Sequence, residues 1–320
     1  MFFYIINFFG KKEKISLIKN IILIGYGSHA KKRIIPSINK TKLKLLDIVK
    51  KKDVFSDLKT LPTSDSNTIS YICTPPNSHY KLIIFLLKKK SNVIVEKPAI
   101  LKKKQLLTIE QILFKNSKLI FIENIMYLYS KIIKKLYSYW IKNEKNFRKI
   151  NINFLIPNFF NIGFRKKSSD NYLVLHDIGI YPLSLINFLN IKVSQITILK
   201  KNYTGKKLEN IKIRISSDKL IININIGEDK NYQNNLTLIN YDGSKIIFDK
   251  IFTGIESEKK ITSYISGKTK KTLLLKDHDC FKFFLSIDYK NLKNLKKKNL
   301  SMLKKNIYLF DRIKSKINSY

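Results

Sequence analysis

Apolar residues recur along the chain in two textures, and the change between them falls near residue 123. In the first, short continuous apolar runs at 20–24, 43–49, 69–73, 92–95 and 119–122 read as strands buried on both faces. Helical patterns separate them: one running to about residue 39, one at 77–90 with Asn77 or Ser78 as its N-cap, and one at 102–115. Strands alternating with helices predict a parallel sheet with helices on both sides.

After residue 123 the order is different. A long helix is predicted over 126–144, then strands near 149–156, a helix near 181–189 and strand-like runs at 194–200, 210–216, 219–226, 235–240 and 245–249. The turn Tyr241-Asp242-Gly243-Ser244 joins the last pair of strands as a hairpin. Helices at 279–290 and 298–318 close the chain. This half reads as a mostly antiparallel sheet with helices on one face. The division is therefore a short extension (1–19), a first domain (20–122) and a second domain (123–320), with no internal repeat. Residues 1–10 are strongly apolar, but the positive charge follows that run and no small-residue cleavage site does, so it does not read as a signal peptide. No run approaches the ~18 apolar residues of a membrane helix.

Composition changes the picture in one respect. The chain carries 62 Lys+Arg against 23 Asp+Glu, a formal charge of +39, which by itself points to nucleic acid or an anionic surface. Only five of the 62 are Arg, whereas base and phosphate recognition favours the planar Arg fork. The lysines are spread from Lys11 to Lys316, and the only alanines are Ala30 and Ala99. Codons rich in A and T account for Lys, Ile and Asn at every tolerant position, so neither specific nucleic acid nor membrane is expected as a partner. Cys73 and Cys280 are too few for a disulfide scaffold or a Cys-rich metal site, and a reducing cytoplasm suits them.

Glycine and proline, with GC-rich codons, persist where geometry insists on them. Gly25-Tyr26-Gly27-Ser28-His29-Ala30 follows a strand and opens a helix, the context of a dinucleotide-binding turn. Gly25 permits the turn, Gly27 lets backbone approach a pyrophosphate, and Ala30 lets helix and strand pack closely. Lys50, Lys51 and Lys52 follow the second strand where a 2′-phosphate would be met, which leans the reading toward NADP; Asp53 is the candidate for a ribose contact, Asp47 lying too early. Thr74-Pro75-Pro76 then ends the third strand, with His79 read as a satisfied loop histidine, and Glu96-Lys97-Pro98 ends the fourth.

Those signatures, followed by Arg165 and by His176-Asp177-Ile178-Gly179-Ile180-Tyr181-Pro182, resemble the Gfo/Idh/MocA oxidoreductases, in the branch of glucose–fructose oxidoreductase and dihydrodiol or xylose dehydrogenase. The resemblance runs from about residue 20 to the C-terminus. It implies a Rossmann domain followed by an α/β domain whose open, mostly antiparallel sheet often mediates oligomers. It also implies bound NAD(P) and hydride transfer at a hydroxyl or carbonyl carbon of a sugar-like substrate, without a metal. Carried over by position, Lys97, Tyr181 and Asp177 are the catalytic residues. Gly25, Gly27, Ser28, His29, Ala30, Thr74, Pro75, Pro76, His79, Glu96, Lys97 and Arg165 are the cofactor contacts. A lysine beside the Tyr181 phenol is expected to lower its pKa from about 10 toward neutrality. Tyr172-Leu173 replaces the family's Gly-Gly, and His176 occupies a normally apolar position, where it reads as packing. The competing readings are a cofactor- or partner-binding relic without catalysis and a lysine-rich binder of nucleic acid or anionic surfaces.

Overall fold

The computed structural model describes residues 18–50, 67–265, 268–287 and 289–319. The extension at 1–17 and the candidates Lys51, Lys52 and Asp53 lie outside the described residues. The first sheet contains β1 (Asn20–Ile24), β2 (Lys44–Val49), β3 (Thr68–Ile72), β4 (Asn92–Glu96) and β5 (Phe121–Asn124). Their order is β2-β1-β3-β4-β5, every pairing parallel. The three central strands bury nearly every side chain, because helices cover both faces. On one face lie α1 (Ile35–Asn39, preceded by a π-helical turn Ala30–Ile34) and two aromatics from near the C-terminus, Phe281 and Phe284. On the other lie α2 (Pro76–Lys88) and α3 (Lys103–Lys115), packed through Leu82, Leu86 and Ile109.

Three boundaries differ from the sequence reading. Strand β5 starts two residues later than expected and runs on to Asn124, so its polar end, Glu123-Asn124, stands at the carboxyl edge of the sheet. Helix α2 is capped by neither Asn77 nor Ser78. Pro75 takes the N-cap position with no side-chain bond, and Pro76, whose φ is fixed near the helical value, is the first helical residue. The long helix expected over 126–144 is split at Ser130, whose hydroxyl accepts from Ile133 N. A 3-10 turn (Met126–Tyr129) precedes the cap and α4 (Lys131–Asn143) follows it. The carboxylate of Asp277 accepts from Lys131 N and Ile132 N, satisfying two donors that a helix start leaves open.

The second sheet contains β6 (Phe147–Ile156), β7 (Gln195–Thr204), β8 (Lys207–Ser217), β9 (Leu220–Glu228), β10 (Gln233–Asn240), β11 (Lys245–Asp249), β12 (Ser257–Ile265) and β13 (Lys268–Asp277). Its order is β13-β12-β11-β10-β6-β9-β8-β7, antiparallel except for β6 against β9. One face packs on α4, α5 (Leu173–Asp177) and α6 (Ile180–Phe188); the other carries Asn151, Asn153, Asn223 and Asn235, whose side chains bond across the strands. Strands β12 and β13 and helix α5 were not anticipated. The closing helices are α7 (Cys280–Leu285) and α8 (Tyr289–Asn318). The latter starts nine residues before the expected 298 and spans both layers: Leu303 and Ile307 enter the core of the first, Phe310 and Ile313 that of the second.

Candidate active site

The carboxyl ends of β1, β3 and β4 bring the first set of candidate residues together. Gly25 adopts φ +105°, and a Cβ there would meet the Cys73 carbonyl oxygen at 2.8 Å, so this turn requires glycine. Gly25 N donates to Val49 O, which sets the end of β2 beside the turn. A Cβ at Gly27 would meet nothing within 4 Å; the backbone there borders open space at the start of a helix. That space fits a phosphate group approaching free N–H donors, so the turn is suited to hold a dinucleotide. Ala30 is fully buried against the sheet, as its close packing requires. Lys50, the first residue after β2, lies 5.4 Å from the Tyr26 ring centroid, on the rim of the same turn.

Two networks brace this edge. Ser78 Oγ bonds Thr74 Oγ1 and Pro75 O, and His79 places one ring nitrogen on Thr74 O and the other on Pro98 O, both at 2.8 Å. His79 is fully buried with a backbone carbonyl facing each ring nitrogen, so it sits between the third-strand turn and the fourth with no nitrogen open to a cofactor. Burial pulls its pKa below the ordinary value, although its two carbonyl partners oppose this. The second network centres on Glu96. Tyr71 donates to Glu96 Oε1 at 2.5 Å, Asn124 Nδ2 reaches both, and His29 Nε2 lies 3.5 Å from the same carboxylate. Glu96 thus anchors the glycine-turn helix rather than opening toward the cleft. Tyr71 went unnoticed because it reads as one more residue of a buried strand, and Asn124 because it falls past the expected end of β5.

Lys97 is the next residue, and its ammonium crosses to the second domain. It donates to Asp177 Oδ1 at 2.6 Å and to Asp177 O at 2.8 Å. Arg165 Nε holds the other carboxylate oxygen at 2.6 Å, with its guanidinium carbon 4.3 Å from the centre of the Phe159 ring. Burial would raise the Asp177 carboxyl, but the two cations outweigh it and hold the group below the usual carboxylate range. Burial likewise pulls the Lys97 ammonium down, and Asp177 more than offsets it. The lysine stays charged. Gly179, between α5 and α6, allows the close turn of the chain there: a Cβ would run into Leu175 O.

Tyr181 stands in the first turn of α6, packed against Tyr127, Phe154 and Phe252, with its backbone carbonyl held by the Tyr127 hydroxyl. Lys97 Nζ lies 4.8 Å from its ring centroid. Its own hydroxyl has no hydrogen-bond partner among the described residues. The expected lowering of its pKa is not what the site produces. Burial raises it, Lys97 lowers it, and Asp177 raises it again, for a net shift above 10. Tyr181 is therefore a neutral phenol, a donor rather than a standing base.

Beside Asp177 a cavity of about 690 Å3 opens between the Thr74–Asn77 turn and the segment carrying Phe164, Asp170 and His176. Glu123, absent from the sequence reading, is buried behind Lys97 and accepts from Ala99 N at 2.8 Å; burial pushes its pKa up to about 7. Asp277, His278 and Cys280 bring three ligand-type atoms within 4.8 Å of one another, but the Asp277 carboxylate is already held by Lys259 and the α4 N-terminus.

Residues 19–124 match the oxidoreductase family, NAD-binding Rossmann fold, of the Gfo/Idh/MocA type. That match covers the first domain, and the parallel sheet and the glycine turn at its first strand agree with it. No curated protein matches the chain in sequence. Among solved structures the fold is similar over nearly the whole length. A 3-ketoreductase from Actinomadura kijaniata, in complex with TDP-benzene and NADP, is 14% identical with a TM-score of 0.76, covering 92% of this chain and 96% of that one. An aldose-aldose oxidoreductase from Caulobacter crescentus, complexed with glycerol, is 12% identical with a TM-score of 0.73, covering 94% and 98%. A dehydrogenase from Chromobacterium violaceum is 12% identical with a TM-score of 0.69, covering 94% and 95%. No helix among the described residues is long and apolar enough to cross a membrane.

Proposed function

We propose that the protein is an NAD(P)-dependent oxidoreductase that moves hydride to or from a hydroxyl or carbonyl carbon of a sugar-like substrate. The reading rests on one observation above the rest: Lys97, from the end of a first-sheet strand, meets Tyr181 and Asp177 of the second domain, and Asp177 lines an open cavity. Residues 20–122 would carry the cofactor and 123–320 the substrate. An aldose-aldose oxidoreductase among the structural neighbours supports the substrate class, and a 3-ketoreductase in complex with NADP supports the cofactor. The open sheet is the surface proposed for a homo-oligomer.

The glycine turn and the helix after it would hold the pyrophosphate, and Lys50 the 2′-phosphate. The nicotinamide supplies or takes up hydride when bound. The chain's own part is the proton. A neutral Tyr181 can give its phenolic proton to a carbonyl oxygen as charge develops there, and the Lys97 ammonium stabilises that charge. Asp177 and Arg165 keep the ammonium in place. The test is NADPH consumption over a panel of aldoses, ketoses and nucleotide sugars. Tyr181→Phe should keep NADPH affinity and lose roughly a hundred- to ten-thousand-fold in turnover. Near-normal turnover in Tyr181→Phe would exclude it as the proton carrier.

A further inference from the structure

The two interior histidines of the cleft are held differently. His79 has a backbone carbonyl 2.8 Å from each ring nitrogen. His176 bonds through one: Nδ1 lies 2.6 Å from Asp170 Oδ2, while Nε2 has no hydrogen-bond partner among the described residues. That nitrogen is not sealed in the core, so it is open to the space beside it. Burial would raise the Asp170 carboxyl, but its bonds to His176 and to Tyr172 N, together with Lys314, hold it below the usual range. Asp170 is therefore ionised and can only accept, so Nδ1 carries the hydrogen. In the neutral ring Nε2 then keeps its lone pair. The ring is fixed from behind by the edge of Phe310, at 5.8 Å between centroids.

Both members of the pair line the 690 Å3 cavity, together with Asn77, Ser168 and the exposed aromatic Phe164. A carboxylate, an acceptor nitrogen, short neutral polar groups and an aromatic face suit a ring that carries hydroxyls on its rim and C–H groups on its faces. We propose that Asp170 and His176 form a hydroxyl-recognition element, with His176 Nε2 accepting from a hydroxyl of a ring seated in the cavity. The inference rests on the oxidoreductase reading, which supplies two sources of such a ring: the ribose of the nicotinamide half and the sugar substrate.

The chain has four histidines, so ring 15N spectra can resolve each one. Two probes are added separately, NADP+ and D-glucose at molar concentration. A shift of the His176 Nε2 resonance with NADP+ assigns the ribose; a shift with glucose alone assigns the substrate. His79, with no free nitrogen, should stay still in both. If His176 moves with neither probe, the proposal is overturned, even where calorimetry shows that NADP+ binds. If calorimetry shows no NADP+ binding while glucose moves His176, the oxidoreductase reading fails and this element stands. His176→Asn keeps a partner for Asp170 but removes the group at Nε2, and should weaken the responding probe about three- to tenfold at an unchanged melting temperature. His176→Gln, which reaches the Nε2 position, should recover part of that loss. Full affinity in His176→Asn would also overturn the proposal.

Discussion

Two buried lysine–aspartate pairs hold this molecule together, and they differ in what surrounds them. Lys259 and Asp277 meet at 2.8 Å with neither side chain exposed. The lysine also donates to Thr253 O, and the aspartate caps α4 through Lys131 N and Ile132 N. Lys97 and Asp177 meet at 2.6 Å, with 14% of the lysine side chain exposed. The second carboxylate oxygen goes to Arg165, and Tyr181 and an open cavity stand beside the pair. The ionic chemistry is the same in both. What separates a structural rivet from a candidate catalytic centre is exposure and setting: the Lys259–Asp277 side chains are wholly buried, whereas Lys97 keeps some exposure and its partner Asp177 lines the 690 Å3 cavity.

Breaking each pair at its lysine should separate the two roles. Lys97→Met should cost the larger effect in turnover, roughly a hundred- to ten-thousand-fold. It should cost little in stability, because Arg165 still neutralises Asp177. Lys259→Met leaves a buried carboxylate without its cation, a loss of about 3–5 kcal/mol that thermal or denaturant unfolding would show. Equal destabilisation by the two substitutions would erase the distinction.

A third buried carboxyl sharpens the comparison. Glu123 has no cation in bonding contact among the described residues, and burial raises its pKa from 4.5 to about 7. The folded state therefore binds a proton that the unfolded state releases. The resulting stability is complete below about pH 4.5 and is lost progressively up to about pH 7, by about 1.4 kcal/mol per pH unit at most. Asp177, with its pKa depressed, contributes in the opposite sense: its stability is present above the ordinary carboxylate pKa and is lost as pH falls through its lowered value. Unfolding of Glu123→Gln between pH 5 and pH 8 should show a flatter dependence than wild type. An unchanged slope would mean that Glu123 titrates normally.

The smallest effect concerns the rim of the glycine turn. Lys50→Ser should reduce any preference for NADPH over NADH several-fold at low salt and less at high salt, since an exposed charge is screened. Equal affinities of the wild type for the two cofactors would remove Lys50 from the account.

Much of this site was legible because its geometry needs residues that this composition otherwise avoids. Gly25, Pro75 and Pro76 stand in a chain with 10 Gly and 7 Pro, and each marks a turn at the sheet's carboxyl edge. The central strands were legible as continuous apolar runs. The edge strand β13 and its neighbour β12 were not; β13 is exposed along almost its whole length and its lysines mask any alternation. The partners Tyr71, Asn124 and Glu123 were invisible for another reason: what singles them out is which residue stands beside them in the neighbouring strand, and a parallel sheet sets that only once it is assembled. The phenol of Tyr181 was placed at the site by its motif, but its protonation depends on burial among Tyr127, Phe154 and Phe252, which no motif reports.

The central claim is that a pyridine nucleotide sits in the open space at Gly27, and calorimetric titration tests it without any need for the substrate. Because a side chain at Gly27 meets no protein atom, Gly27→Val should fold with a melting temperature close to that of wild type. The account predicts saturable binding of NADPH or NADH to wild type and its loss in Gly27→Val. Wild-type protein that binds neither nucleotide, or Gly27→Val that binds as tightly as wild type, would contradict it.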